Sequence, residues 1–164
     1  MSSLHADSIT KTFKDKKILQ DIFIGCTSGE VVGLLGRNGS GKSTLLKIIA
    51  GLETADTKFV RIDGVILKNV SQNRGMISFL PQYHFLPAHV KIKNSIKVFT
   101  NRENAEKLFL HPFISPFLDS KPRTLSGGEL KLIEILLILY SESKFILLDE
   151  PFQSLAPQMT DEIK

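Results

Sequence analysis

The chain has 164 residues, of which 42% are hydrophobic and 23% charged, the composition of one globular domain with a sizeable core. Its formal net charge is +4, from 21 basic and 17 acidic residues, a mild excess that suits several anions and singles out none. No apolar run reaches the ~18–20 residues of a membrane span, and a single cysteine, Cys26, excludes an internal disulfide and points to a reducing compartment.

The longest apolar run, Leu130 to Tyr140, is short and is interrupted by Lys131 and Glu134. The opening Met1-Ser2-Ser3-Leu4-His5-Ala6-Asp7 lacks the charged and apolar regions of a signal peptide. A cytoplasmic location is expected. No aromatic residues are interleaved with the basic ones as a base-stacking platform needs, so nucleic acid is not an expected partner.

In chain order, residues 1 to about 24 read as two strands joined by a lysine-rich turn. Lys11, Lys14, Lys16 and Lys17 there, and Lys91, Lys93 and Lys97 later, read as solvated faces. Cys26 reads as a small core or edge residue. Ser28-Gly29 punctuates the entry to Glu30-Val31-Val32-Gly33-Leu34-Leu35, an apolar, β-branched run that reads as a buried strand.

Gly36-Arg37-Asn38-Gly39-Ser40-Gly41-Lys42-Ser43 comes next, fitting G-x-x-x-x-G-K-[ST]. The glycines allow a tight turn that aims backbone N–H groups at a phosphate, and the helix that the loop opens adds its positive dipole end. Gly36, Asn38, Gly39, Ser40 and Gly41 line this loop. Lys42 would reach the β- and γ-phosphates, Ser43 would offer its hydroxyl to Mg²⁺, and Thr44 could reach the α-phosphate. The helix runs from Thr44 to about Leu52, with Gly51 as its stop.

Thr57 to Ile62 reads as a strand, Asp63-Gly64 as a turn and Val65 to Leu67 as the return. Gly75 to Leu80 is another buried strand, ended by Pro81. Asn94 or Ser95 could cap a short helix through Phe99, and Asn101 a second one through Leu110. Pro112, Pro116 and Pro122 break the stretch after Leu110. Ser126 starts a helix with apolar positions through Tyr140. Lys144 to Leu148 is a short strand delivering Asp149-Glu150.

Strands alternating with helices around a phosphate loop argue for an α/β fold with a mostly parallel sheet. An N-terminal antiparallel β subdomain and a helical insertion complete it. Core and β subdomain are expected over about 1–82 and 142–164, and the helical part over about 83–141. A carboxylate at the C-terminal end of a buried strand is where such a sheet binds ligand. Asp149 would hold Mg²⁺ through water. Glu150 can polarise a water toward the γ-phosphate.

Leu125-Ser126-Gly127-Gly128-Glu129 lies between the phosphate loop and this acidic pair, with Ser126 23 residues before Asp149. By composition it is an ordinary N-cap and turn. In that position the chain resembles, over its whole length, the ATPase subunit of ATP-binding cassette (ABC) proteins, whose signature is L-S-G-G-Q/E. The resemblance implies that Phe13 stacks on adenine. It implies that Gln82 senses Mg²⁺ and the attacking water and couples the site to a transmembrane partner. ATP on one subunit would be capped by Ser126, Gly127, Gly128 and Glu129 of another, in a homodimer or a paired ATPase, and Glu150 would drive hydrolysis.

Three departures from the family stand out. Leu155 is followed by Ala156-Pro157 where the D-loop carries aspartate. His5, His84, His89 and His111 all precede Asp149, so none takes the place of the switch histidine. The helix after the signature is more apolar than usual. These features imply a shortened subunit with weak hydrolysis in isolation. The leading expectation is an ATPase subunit at the cytoplasmic face of the membrane, held there by a transporter partner. The alternatives are a non-transport ABC ATPase and a nucleotide-binding module that switches by binding alone. No Asn-Lys-x-Asp motif supports a GTPase.

Overall fold

The computed structural model describes residues 1–67 and 75–153. They divide into two compact units, Met1–Phe79 with Ser143–Asp149, and Leu80–Glu142 with the segment that begins at Glu150.

The first unit begins with β1 (Ser3–Phe13) and β2 (Lys16–Thr27), joined by the expected tight turn and paired antiparallel. β3 (Thr57–Ile62) and β4 (Val65–Ile66) form a hairpin. Its turn residues Asp63 and Gly64 both have positive φ, 52° and 79°, the mirror-image geometry that matches strand twist. The four strands lie in the order β2-β1-β3-β4. Alternate residues Leu4, Ala6, Val60 and Ile62 point into one core with Ile9, Leu19, Leu45, Ile48 and Ile49. The loop helix α1 (Lys42–Ile49) supplies the last three of these. It ends where Gly51 takes φ 77°, and the Leu52 N–H donates to the Lys47 carbonyl at 2.8 Å, a glycine stop as expected.

β5 (Ile77–Leu80) and β6 (Phe145–Leu148) form a second sheet. The run from Glu30 to Leu35 does not join it. No strand forms there, and Val31 and Leu35 are 100% and 99% exposed. A strand exists only against a neighbour that takes its N–H and C=O groups, and among the described residues none pairs with this run. The second correction concerns Lys11. It is only 7% exposed and donates to Glu53 Oε1 at 3.1 Å and Thr54 Oγ1 at 3.2 Å. Inside the sheet a lysine needs such partners to keep its charge.

The second unit holds α2 (Ile92–Phe99), α3 (Arg102–Leu110), two short 3-10 turns (Ser115–Phe117 and Pro122–Thr124) and α4 (Gly127–Leu139). Both turns begin at or next to a proline. Asn101 caps α3 as expected, its side chain accepting from the Asn104 N–H at 2.7 Å. α2 starts earlier than its apparent caps Asn94 and Ser95. Its N-cap is Lys91, with no side-chain cap. The Ile92 and Lys93 N–H groups instead donate to the carbonyls of Ser120 and Leu118, both at 3.0 Å, so the segment 118–120 serves as a cap. Ser95 is buried in the helix. α4 is buried almost all round, from Leu130 through Ile138, and packs with Leu86, Ile92, Ile96, Leu108 and Ile114.

Candidate nucleotide site

In the first unit the loop 36–43 turns as a phosphate cradle must. Gly41 has φ 95°, and a Cβ there would meet Ile18 Cγ2 at 2.9 Å and Leu19 Cδ2 at 3.0 Å. Only glycine fits both the conformation and the space. At Gly36 a Cβ would meet Ser40 Oγ at 2.9 Å. Gly39 has φ 78° and open space around it, and Asn38 and Ser40 are exposed beside it. Lys42 folds back so that Nζ donates to the carbonyls of Gly36 at 2.8 Å and Arg37 at 3.1 Å. The ammonium is thereby held at the loop it would serve.

Ser43 and Asp149 come together although 106 residues separate them. The Ser43 hydroxyl donates to Asp149 Oδ1 at 2.8 Å, and Asp149 is 2% exposed. A hydroxyl and a carboxylate converging at a buried point are the hard oxygen donors that Mg²⁺ takes when phosphate and water complete its shell. Among the described residues no group of three or more His, Cys, Asp or Glu side chains could cage a metal. Thr44 lies half-buried in the first turn of α1. Phe13, at the end of β1, is 45% exposed, and Lys11 Nζ stands 4.6 Å from its ring centroid, a cation–π contact.

In the second unit Glu150 has φ 48°, a conformation non-glycine residues hold only when their surroundings enforce it. Gln82 Nε2 donates to Glu150 Oε2 at 3.0 Å and to Gln153 Oε1 at 2.8 Å. The backbone of Gln82 is held as well. Lys131, 1% exposed, donates through Nζ to the carbonyls of Pro81 at 2.7 Å and Gln82 at 3.0 Å. Three residues along α4, the fully buried Glu134 accepts from the Phe85 and Leu86 N–H groups at 2.7 and 3.1 Å. Its Oε2 lies 3.0 Å from His84 Nδ1.

The signature segment opens α4 with a capping box. The Ser126 side chain accepts from the Glu129 N–H at 3.3 Å, and Glu129 Oε2 accepts from the Ser126 N–H at 2.8 Å and its hydroxyl at 2.7 Å. The Ser126 hydrogen bonds hold the Glu129 carboxyl below its ordinary range. Gly127 and Gly128 form the first turn, so the unpaired N–H groups of the helix start are theirs.

Lys131 and Glu134 escape a motif-based reading, and Gln153 enters one only as part of the segment Pro151 to Leu155 that leads into the D-loop. The first two carried one signal: a lysine and a glutamate three apart inside an otherwise apolar helical run must find partners if that run is buried. Leu155, Ala156 and Pro157 lie outside the described residues. No helix among those described is long and apolar enough to cross a membrane.

Known proteins resemble this chain in sequence and in fold. The sequence model of a family described as ABC transporter matches residues 19–153. The lipopolysaccharide export system ATP-binding protein LptB of Haemophilus influenzae is 36% identical, over 100% of this chain and 73% of its own length. The sulfate/thiosulfate import ATP-binding protein CysA of Escherichia coli is 31% identical, over 99% of this chain and 48% of its own. Among solved structures, a dimeric ATP-binding cassette in a post-hydrolysis state with ADP and Pi superposes with a TM-score of 0.83 at 25% identity, over 98% of this chain and 79% of that one. The chain belongs to the ABC transporter family, as an ATP-binding subunit of its ATPase class.

Proposed function

We propose that this chain binds and hydrolyses ATP to power a membrane transporter, through closure of two such subunits around the nucleotide. The observation that carries the reading is the 2.8 Å contact of the Ser43 hydroxyl with Asp149. It joins the phosphate loop to the strand-end carboxylate, the pair that a nucleotide's phosphates and metal require.

Each residue has a stated task. The N–H groups around Gly39 and Gly41 and the start of α1 bind phosphate oxygens. Lys42 leaves the Gly36 and Arg37 carbonyls to meet the β- and γ-phosphates. Phe13 stacks on the base. Ser43 and Asp149 would hold Mg²⁺, whose charge would offset that of the phosphate oxygens. Glu150 orients and polarises the attacking water. The Gly127 and Gly128 N–H groups, with Ser126 and Glu129, face the nucleotide of the opposing subunit. Catalysis is then positioning and electrostatics, with little covalent work for the protein.

LptB and CysA carry export and import in their names; in this reading the direction and cargo of transport are set by the partner chain. A peripheral place at the cytoplasmic face accompanies that partnership. The test is the solution mass of Glu150→Gln by light scattering, with and without MgATP. An ATP-dependent dimer that is lost in Ser126→Arg supports the reading. A monomer that still binds MgATP would sink it in favour of a module that switches by binding alone.

A further inference from the structure

We infer that Gln153 is a positioning residue for Gln82, fixing the plane of its carboxamide beside Glu150. This rests on the ATPase reading above and names a residue that reading does not use.

The geometry begins with a tight turn. The Gln153 N–H donates to the Glu150 carbonyl at 3.3 Å, which brings both side chains to one side of the turn. They then converge on a single nitrogen, Gln82 Nε2, at 3.0 Å from Glu150 Oε2 and 2.8 Å from Gln153 Oε1. A carboxylate only accepts, so the Gln82 atom facing Glu150 must be the amide nitrogen. Its second proton goes to Gln153, whose oxygen must therefore face it. Both amide orientations are settled by the one acidic neighbour.

One hydrogen bond would leave the Gln82 carboxamide free to turn about that N–H. Two acceptors on the two protons of one nitrogen fix the plane. The carbonyl oxygen Oε1 takes part in neither bond. It is the end of the side chain left to accept from water or to meet a cation, and its direction is set by the two bonds at the other end. With Lys131 holding the Gln82 carbonyl, the residue is held at backbone and side chain alike. Preorganisation of this kind acts on turnover more than on nucleotide affinity. An apolar side chain at position 153 would supply no such second anchor.

The test is made on the full chain in two measurements. In nucleotide-free protein labelled with ¹⁵N-glutamine, both Gln82 carboxamide protons are expected at hydrogen-bonded positions. Gln153→Leu, of similar size without an acceptor, should move one of the two to the position of a solvated amide. Gln153→Glu, which keeps an oxygen at the same reach, should hold it. In steady state, Gln153→Leu should lower kcat roughly three- to tenfold, the scale of one lost hydrogen bond, with KM for MgATP within about twofold of wild type. Gln82 resonances unmoved by Gln153→Leu overturn the inference, as does a kcat loss matched by an equal rise in KM. Glu150→Gln separates the two readings. If it turns over like wild type, the role given to Glu150 fails, and if wild type itself shows no turnover the ATPase reading fails, while in either case the Gln82 resonances still decide the role of Gln153.

Discussion

Replacing Glu134 tests how the signature helix is tied to the Gln82 segment. Both backbone donors, the Phe85 and Leu86 N–H groups, end on the same oxygen, Oε1, at 2.7 and 3.1 Å. The other oxygen faces His84, whose side chain is 40% exposed and can turn to water. Glu134→Gln therefore keeps the acceptor that matters. Its cost is the loss of a negative charge three residues from the buried Lys131, expected below about 2 kcal/mol. Glu134→Leu strands two N–H groups, of which that of Leu86 is buried. At about 1–3 kcal/mol each, the gross cost is about 2–6 kcal/mol, and burying the leucine returns part of it. A net loss of about 3 kcal/mol is a large share of a stability of about 5–15 kcal/mol. Urea unfolding reads the difference as a fall in midpoint at constant slope. A leucine variant as stable as the glutamine variant would show that the clamp between α4 and residues 84–86 contributes nothing and would refute the reasoning.

Three further outcomes are expected. Gly41→Ala, forced to φ 95° against Ile18 and Leu19, should cost about 1–2 kcal/mol of stability or more and weaken ATP binding, whereas Gly39→Ala meets nothing within 4 Å and should lower the Tm less; equal losses in the two would contradict the packing argument. Ser126→Ala removes the acceptor of a capping box and should destabilise α4 by about 1 kcal/mol, measured by urea denaturation without nucleotide, and no change would mean the box is not formed in solution. Asp119 accepts from Lys93 at 2.8 Å and Lys91 at 2.9 Å, and these two ammonium groups, Lys93 foremost, pull its carboxyl from the ordinary 3.8 to about 2. Because the folded value is the lower one, the contribution is present above pH 3.8 and lost as pH falls through about 2. Asp119→Asn should flatten the stability profile across that window at low salt and change little in high salt.

How far the chain can be read depends on where its chemistry is written. The phosphate loop, the Asp63-Gly64 turn, the Asn101 cap and the Ser126–Glu129 box are local, so residue types at fixed spacing suffice. The start of α2 was not legible for the opposite reason. Its first N–H groups are satisfied by the carbonyls of Leu118 and Ser120, and a backbone carbonyl leaves no mark in a sequence. Lys131 and Glu134 are hidden in the same way, since their partners are main-chain atoms of residues 81–86. Lys11 lies among lysines that do face water, and its burial depends on Glu53, 42 positions on.

The run Glu30 to Leu35 marks the limit of pattern reading most sharply. Its apolar, β-branched residues express a preference for a half-buried pleated surface, and that preference is real. Yet pairing belongs to two segments, and the sheet that β5 and β6 make does not extend to it among the described residues. Phe145 to Leu148 is likewise apolar and does become a strand, because the Met76 carbonyl accepts the Phe145 N–H at 3.0 Å and β5 runs beside it. Two segments of like propensity thus differ by whether a neighbour supplies the other half of the ladder. The phosphate loop after Leu35 keeps its glycine geometry regardless, for Gly41 is fixed by Ile18 and Leu19 of β2 and Ser43 by Asp149. The site is therefore anchored from its helix side, by contacts that do not require residues 30–35 to form a strand.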